Sequence, residues 1–140
     1  MSGERTFSII KPDAVAAGQA GEILAMIQQA GFQVLGLRMT RLTEKQAQGF
    51  YAVHKERPFF AGLVKFMTEG PIIVMALDRE DAIAKLRDVM GATDPAKAAA
   101  GTIRKLFAKS IERNCIHGSD APETAEVELR YFFNTLDLQG

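Results

Sequence analysis

Between the turn pair Gly70-Pro71 and the acid Asp78 stand six uninterrupted apolar residues, Ile72-Ile73-Val74-Met75-Ala76-Leu77. The run is far short of the ~20 residues a membrane-spanning helix requires, and no other stretch is longer. Its length, its bounding turn residues and its lack of alternation predict a strand covered on both faces. The remaining elements are read around it.

They can be read from spacing. Thr6-Phe7-Ser8-Ile9-Ile10 alternates and stops at Lys11-Pro12-Asp13, where proline removes a ladder donor, giving a first strand. Ile23, Met26, Ile27 and Ala30 recur at helical spacing before Gly31, predicting a helix from about Gly21 to Ala30. Leu35, Leu37 and Met39 predict a second strand with that face buried. Thr43 and Gln46 form a capping box for a helix through Phe50 and Tyr51. Arg57-Pro58-Phe59-Phe60 interrupts, and helix resumes to about Met67. After the apolar strand, Asp78 is expected to cap a helix buried through Ala82, Ile83, Leu86, Val89 and Met90. A patternless stretch from Ala92 to Gly101 reads as a functional loop. A short helix at Ile103 to Phe107, a last strand at Cys115-Ile116-His117, and a final helix capped by Asp120 and Glu123 complete the order. It predicts an α+β sandwich of the split βαβ kind, with a mainly antiparallel sheet and helices on one side.

The 140 residues hold 47% apolar and 24% charged side chains, which fits one soluble domain over 1–140. Residues 1–6 lack an apolar export segment and a cleavage pattern, so a cytoplasmic protein is expected. One cysteine and two histidines cannot build a disulfide or a structural zinc site. The net charge of zero argues against a nucleic-acid partner held by a basic face. It is nonetheless uneven, at +1 over residues 1–78, +3 over 79–114 and −4 over 115–140.

No glycine-rich phosphate loop, kinase signature, zinc-protease motif or nucleophile elbow is present. The informative segment is Asn114-Cys115-Ile116-His117-Gly118-Ser119-Asp120, which places an imidazole at a strand end just before a helix start, where anions are attracted. On local context alone His117 is either a nucleophile or a buried histidine closing the turn. Glu128 falls at the edge of the last helix's buried stripe, where a carboxylate either needs a partner such as that imidazole or reaches solvent. Lys11, Arg87, Arg104 and Arg113 lie near element ends and could converge on phosphate oxygens, or each be a solvated charge. Phe59 and Phe60 are either core rings or include a stacking platform for a base.

Together these segments resemble the nucleoside diphosphate kinases over nearly the whole chain. The resemblance rests on Glu4-Arg5-Thr6, Ile9-Ile10-Lys11-Pro12-Asp13, Arg57-Pro58-Phe59-Phe60, Met90-Gly91-Ala92-Thr93, Gly101-Thr102-Ile103-Arg104, Asn114 and His117-Gly118-Ser119-Asp120. It implies a ferredoxin-like βαββαβ fold with a four-stranded sheet and covering helices. It also implies a ping-pong transfer of the γ-phosphate of ATP or another nucleoside triphosphate to a nucleoside diphosphate, maintaining the triphosphate pools. By the same resemblance His117 is the nucleophile that becomes a pros-phosphohistidine, and Glu128 orients it with Ser119 in support. Lys11, Tyr51, Arg87, Thr93 and Arg104 are implied to hold phosphates, Lys11 and Asn114 to reach the sugar, and Phe59 with Leu63 to bind the base. Mg2+ is implied to arrive on the phosphates rather than in a protein metal site, and the chain to form a homo-oligomer, tetramer or hexamer. Three positions depart from the usual pattern: Ala121 in place of Ser, Asp94 in place of Asn, and Lys105-Leu106 after Arg104 where many members carry an acid. A non-catalytic module on the same fold would be favoured by loss of His117 or the arginines, and all are present.

Overall fold

The computed structural model describes residues 3–139; Met1 and Ser2, part of the segment read for an export signal, and Gly140 lie outside them. The strands are β1 (Glu4–Ile10), β2 (Gln33–Thr40), β3 (Ile72–Arg79) and β4 (Ile116–Gly118). The helices are α1 (Pro12–Ala16), α2 (Ala20–Gln29), α3 (Glu44–Phe50), α4 (Phe60–Met67), α5 (Ala82–Met90), α6 (Ile103–Phe107) and α7 (Pro122–Phe132). Single 3-10 turns stand at Ala52–His54 and Thr135–Asp137. The sheet order is β2-β3-β1-β4 with every neighbouring pair antiparallel. β1 and β2 therefore run parallel with β3 between them, and β3 and β4 run parallel with β1 between them. That is the split βαβ arrangement of the ferredoxin-like fold.

Both faces of the sheet are covered, which corrects the one-sided expectation. Ile10, Met75 and Leu77 pack with Ile23, Ile27, Leu86 and Ile103, whereas Phe7, Ile9, Val74 and Ala76 pack with Val64, Met67 and Phe132. The crossover helices α2 and α5 both fall on one face because βαβ connections share one hand. α3 and α4, from the β2–β3 connection, and α7 close the other. The apolar run of β3 is thus buried from two sides, as its lack of alternation predicted, and each large side chain so buried contributes ~1.5–3 kcal/mol. The same cover explains why Thr6 and Ser8 of β1, expected on a polar face, are fully buried.

Four local expectations change. Pro12 starts a helix instead of only ending a strand: proline suits the first helical position, where its missing N–H would have no intrahelical partner. In β2 a register shift between Val34 and Gly36 switches the alternation. Leu35 is buried, but Leu37 and Met39 pair beside Met75 and Ile73 at the outer edge and are 46% and 58% exposed. Asp78 remains inside β3, where it accepts the Gly3 N–H at 3.0 Å, and Asp81 precedes α5. β4 begins at Ile116 and includes Gly118, while α7 starts after Ala121, whose N–H donates to Thr124 Oγ1 at 3.0 Å. Asp120 is left to face Arg87 at 3.5 Å rather than cap the helix. The capping box of Thr43 and Gln46 forms as read.

Candidate active site

The short β4 lies against β1 with His117 opposite Ile9 and Gly118 opposite Ser8, and the Ser8 hydroxyl donates to the His117 carbonyl at 2.7 Å. The imidazole meets the rings of Phe7 and Phe50 edge-on, with centroids 6.1 and 5.8 Å away. From α7, Oε1 of Glu128 reaches Nε2 of His117 at 2.8 Å and accepts the Ser119 hydroxyl at 2.6 Å. Ser119 is fully buried, and its N–H donates to the Phe7 carbonyl at 3.1 Å. A carboxylate at Nε2 fixes the proton there in the neutral ring and leaves the Nδ1 lone pair available.

A cavity of 730 Å³ opens before the imidazole, lined by Lys11, Tyr51, Phe59, Arg87, Thr93, Arg104, Asn114 and His117 among others. Glu128 and Ser119 stand behind the ring and do not line it. Leu63 lines an adjoining apolar cavity of 570 Å³ that shares Lys11, Phe59 and Asn114 with the first. Of the residues singled out from the sequence, Lys11, Tyr51, Phe59, Arg87, Thr93, Arg104, Asn114 and His117 line the first cavity and Leu63 the second. His54, whose ring centroid is 5.5 Å from that of Phe59, also lines the main cavity and was not singled out. Only its position before Arg57-Pro58 hinted at it. Arg113 lies elsewhere, paired with Glu69 at 2.8 Å over the Phe66 ring.

The cations are held in different ways. Lys11 is buried, and its Nζ donates to Asn114 Oδ1 at 2.8 Å. Burial pulls its ammonium down to about 8, with the Arg104 charge adding to the effect. Arg104 is also buried and donates to the carbonyls of Gly91, Asn114 and Ile116 at 3.1, 3.4 and 2.8 Å. Arg87 is exposed on the rim, beside Asp120. The Tyr51 hydroxyl is buried without a hydrogen-bond partner among the described residues. Burial, and then the Glu128 charge, hold its proton well above the ordinary phenol range, so it stays a neutral donor. Among the described residues no cluster of three or more His, Cys, Asp or Glu could hold a metal ion.

A ferredoxin-like sheet thus sets an imidazole, oriented by a carboxylate, against a cation-lined cavity. The family model described as nucleoside diphosphate kinase matches residues 4–138, and the chain belongs to that family of enzymes. It is 58% identical over 137 residues to the nucleoside diphosphate kinase of Nitratidesulfovibrio vulgaris strain DP4, covering 98% of this chain and 99% of that one. Among solved structures, the Aquifex aeolicus nucleoside diphosphate kinase matches with a TM-score of 0.94 at 44% identity, over 96% of this chain and 98% of that chain. The halophilic nucleoside diphosphate kinase from Halobacterium salinarum, in complex with CDP, matches with a TM-score of 0.93 at 40% identity, over 97% of this chain and 91% of that chain.

Proposed function

We propose that this nucleoside diphosphate kinase works by a ping-pong mechanism through a phosphohistidine at Nδ1 of His117, and so maintains cytoplasmic triphosphate pools. The observation that carries the reading is that Glu128 occupies Nε2 while His117 lines the cation-rich cavity. The Nδ1 lone pair attacks the γ-phosphorus of the donor, the bond to the β,γ-bridging oxygen breaks, and the nucleoside diphosphate leaves with that electron pair. A terminal oxygen of a second nucleoside diphosphate then attacks the same phosphorus, and the N–P bond returns its pair to the ring. Each step exchanges one high-energy phosphoryl bond for another, so the reaction runs in both directions.

Transfer of this kind is mostly positioning and charge stabilisation. In this reading Lys11, Tyr51, Arg87, Thr93 and Arg104 hold the phosphates, Lys11 and Asn114 reach the sugar, and Phe59 with Leu63 receives the base. The CDP bound to the Halobacterium relative supports a nucleoside diphosphate as ligand. The lining is rich in cations and offers Asp88 and Asp120 as its carboxylates, which fits Mg2+ carried by phosphate oxygens and water, with Asp120 as the rim group to receive it. When bound, the ion neutralises phosphate charge. Homo-oligomerisation, as a tetramer or hexamer, belongs to the same reading, and the exposed Leu37 and Met39 on the β2 edge support it.

The test is to incubate the protein with γ-labelled ATP and no acceptor. An acid-labile, alkali-stable phosphoprotein is expected, and His117→Ala should abolish it. No label on the parent protein would sink the phosphohistidine mechanism.

A further inference from the structure

Just before His117 the chain makes an unusual turn. The Ile116 N–H donates to the Asn114 carbonyl at 2.8 Å, and Cys115 between them has φ +64°. This is a γ-turn whose central residue is left-handed, a rare and unfavourable conformation for a residue carrying a Cβ. Such strain persists only where the surroundings over-determine it. Here both peptide groups of Cys115 are tied to the start of α1: its carbonyl accepts the Lys11 N–H at 2.9 Å, and its N–H donates to Asp13 Oδ2 at 3.1 Å. Asp13 is buried and does not line the cavity, and its other oxygen has no hydrogen-bond partner among the described residues. Among the described residues, the one hydrogen bond this carboxylate makes goes to the turn.

We propose that Asp13 is a positioning residue whose carboxylate holds the Cys115 turn in its left-handed form, and that the turn in this form aims Asn114 and His117 into the cavity. The inference rests on the reading of Lys11, Asn114 and His117 as the nucleotide site. Without the brace, residue 115 relaxes toward negative φ, turning the Asn114 carbonyl away from Arg104 and its side chain away from Lys11. Glycine adopts positive φ without penalty, so a glycine at the centre of the turn makes the brace dispensable.

The experiment compares Asp13→Ala, Cys115→Gly and the double variant with the parent, reading KM, kcat, thermal midpoint and labelling of Cys115, the chain's one cysteine, by an aromatic disulfide reagent. Asp13→Ala should lower kcat/KM about tenfold, equivalent to about 1.4 kcal/mol, mainly through a raised nucleotide KM. Folded Asp13→Ala should also label at least about tenfold faster than the parent, since the thiol is otherwise buried. In the Cys115→Gly background the same substitution should cost less than about threefold. Asp13→Asn, which keeps an acceptor for the Cys115 N–H, should lose less than Asp13→Ala. Equal losses in the two backgrounds, or a folded Asp13→Ala that labels no faster than the parent, would overturn the proposal. If Asp13→Ala does not fold, the double variant should; its failure to fold also overturns it. Should His117→Ala keep exchange activity, the nucleotide-site reading falls and takes this role with it. A His117-dependent enzyme with equal losses in both backgrounds removes the Asp13 role alone.

Discussion

Oε1 of Glu128 lies 2.8 Å from Nε2 of His117. One ring nitrogen is thereby occupied by the protein, and the proposed nucleophile is the other. Glu128→Ala should slow His117 phosphorylation by about 100-fold, the cost of a nucleophile misplaced by about 1 Å, while nucleotide affinity moves less than about threefold. Stopped-flow phosphorylation alongside equilibrium binding separates the two. A variant that binds poorly but phosphorylates normally would refute the orienting role.

Lys11 gives a pH dependence. Burial, with Arg104 adding, brings its ammonium down to about 8 in the free enzyme. If Lys11 holds phosphate as proposed, it does so in its charged form, so kcat/KM should fall as pH rises through about 8, and Lys11→Gln should be slower with a flatter alkaline limb. The sign for folding is opposite. Between about 8 and the unfolded value of 10.5 the unfolded chain holds the proton and the folded chain does not, so this group adds stability as pH rises across that window. Denaturant midpoints and steady-state rates measured over pH 7 to 10.5 check both signs.

Arg104 and Arg87 should separate in their effects. Arg104 caps three carbonyls, so Arg104→Ala removes activity and also costs about 1–3 kcal/mol of stability from acceptors left without partners. Arg87 is exposed, so Arg87→Ala should weaken nucleotide binding while shifting stability by less than ~0.5 kcal/mol. Urea melts with activity assays on both variants decide this, and equal melts would contradict it.

Phe59 is half exposed at the junction of the two cavities. If it stacks on the base, Phe59→Ala should raise KM for purine and pyrimidine nucleotides alike, by an amount near the ~1 kcal/mol lower end of base stacking. A loss confined to purines would point to an edge contact instead.

Much of this was legible in the chain because it is local. The β3 run declared burial on two sides through composition alone, and Glu128 declared itself by standing beside the buried stripe of α7. Lys11, Arg104 and His117 could be placed near one another only through resemblance, since their meeting depends on β1 and β4 pairing across more than a hundred residues. What misled was equally physical. Thr6 and Ser8 look like a wet face, but α2 and α5 cover it. Leu37 and Met39 look buried until the register shift after Val34 carries them to the outer side of an edge strand. Asp78 looks like a cap, yet β3 continues one residue beyond it. The Cys115 turn left no trace, because a cysteine in that conformation is not a turn signal.

The three carbonyls on Arg104 have one further consequence. A side chain moored to Gly91, Asn114 and Ile116 does not close on its ligand like a hand; it stands as a stationary pole in the cavity wall. In the transfer proposed above, charge moving toward His117 and charge moving away from it would cross the same standing field, with nothing to rearrange at the moment of crossing. If both directions run through His117 as proposed, forward and reverse transfer would meet the same terrain.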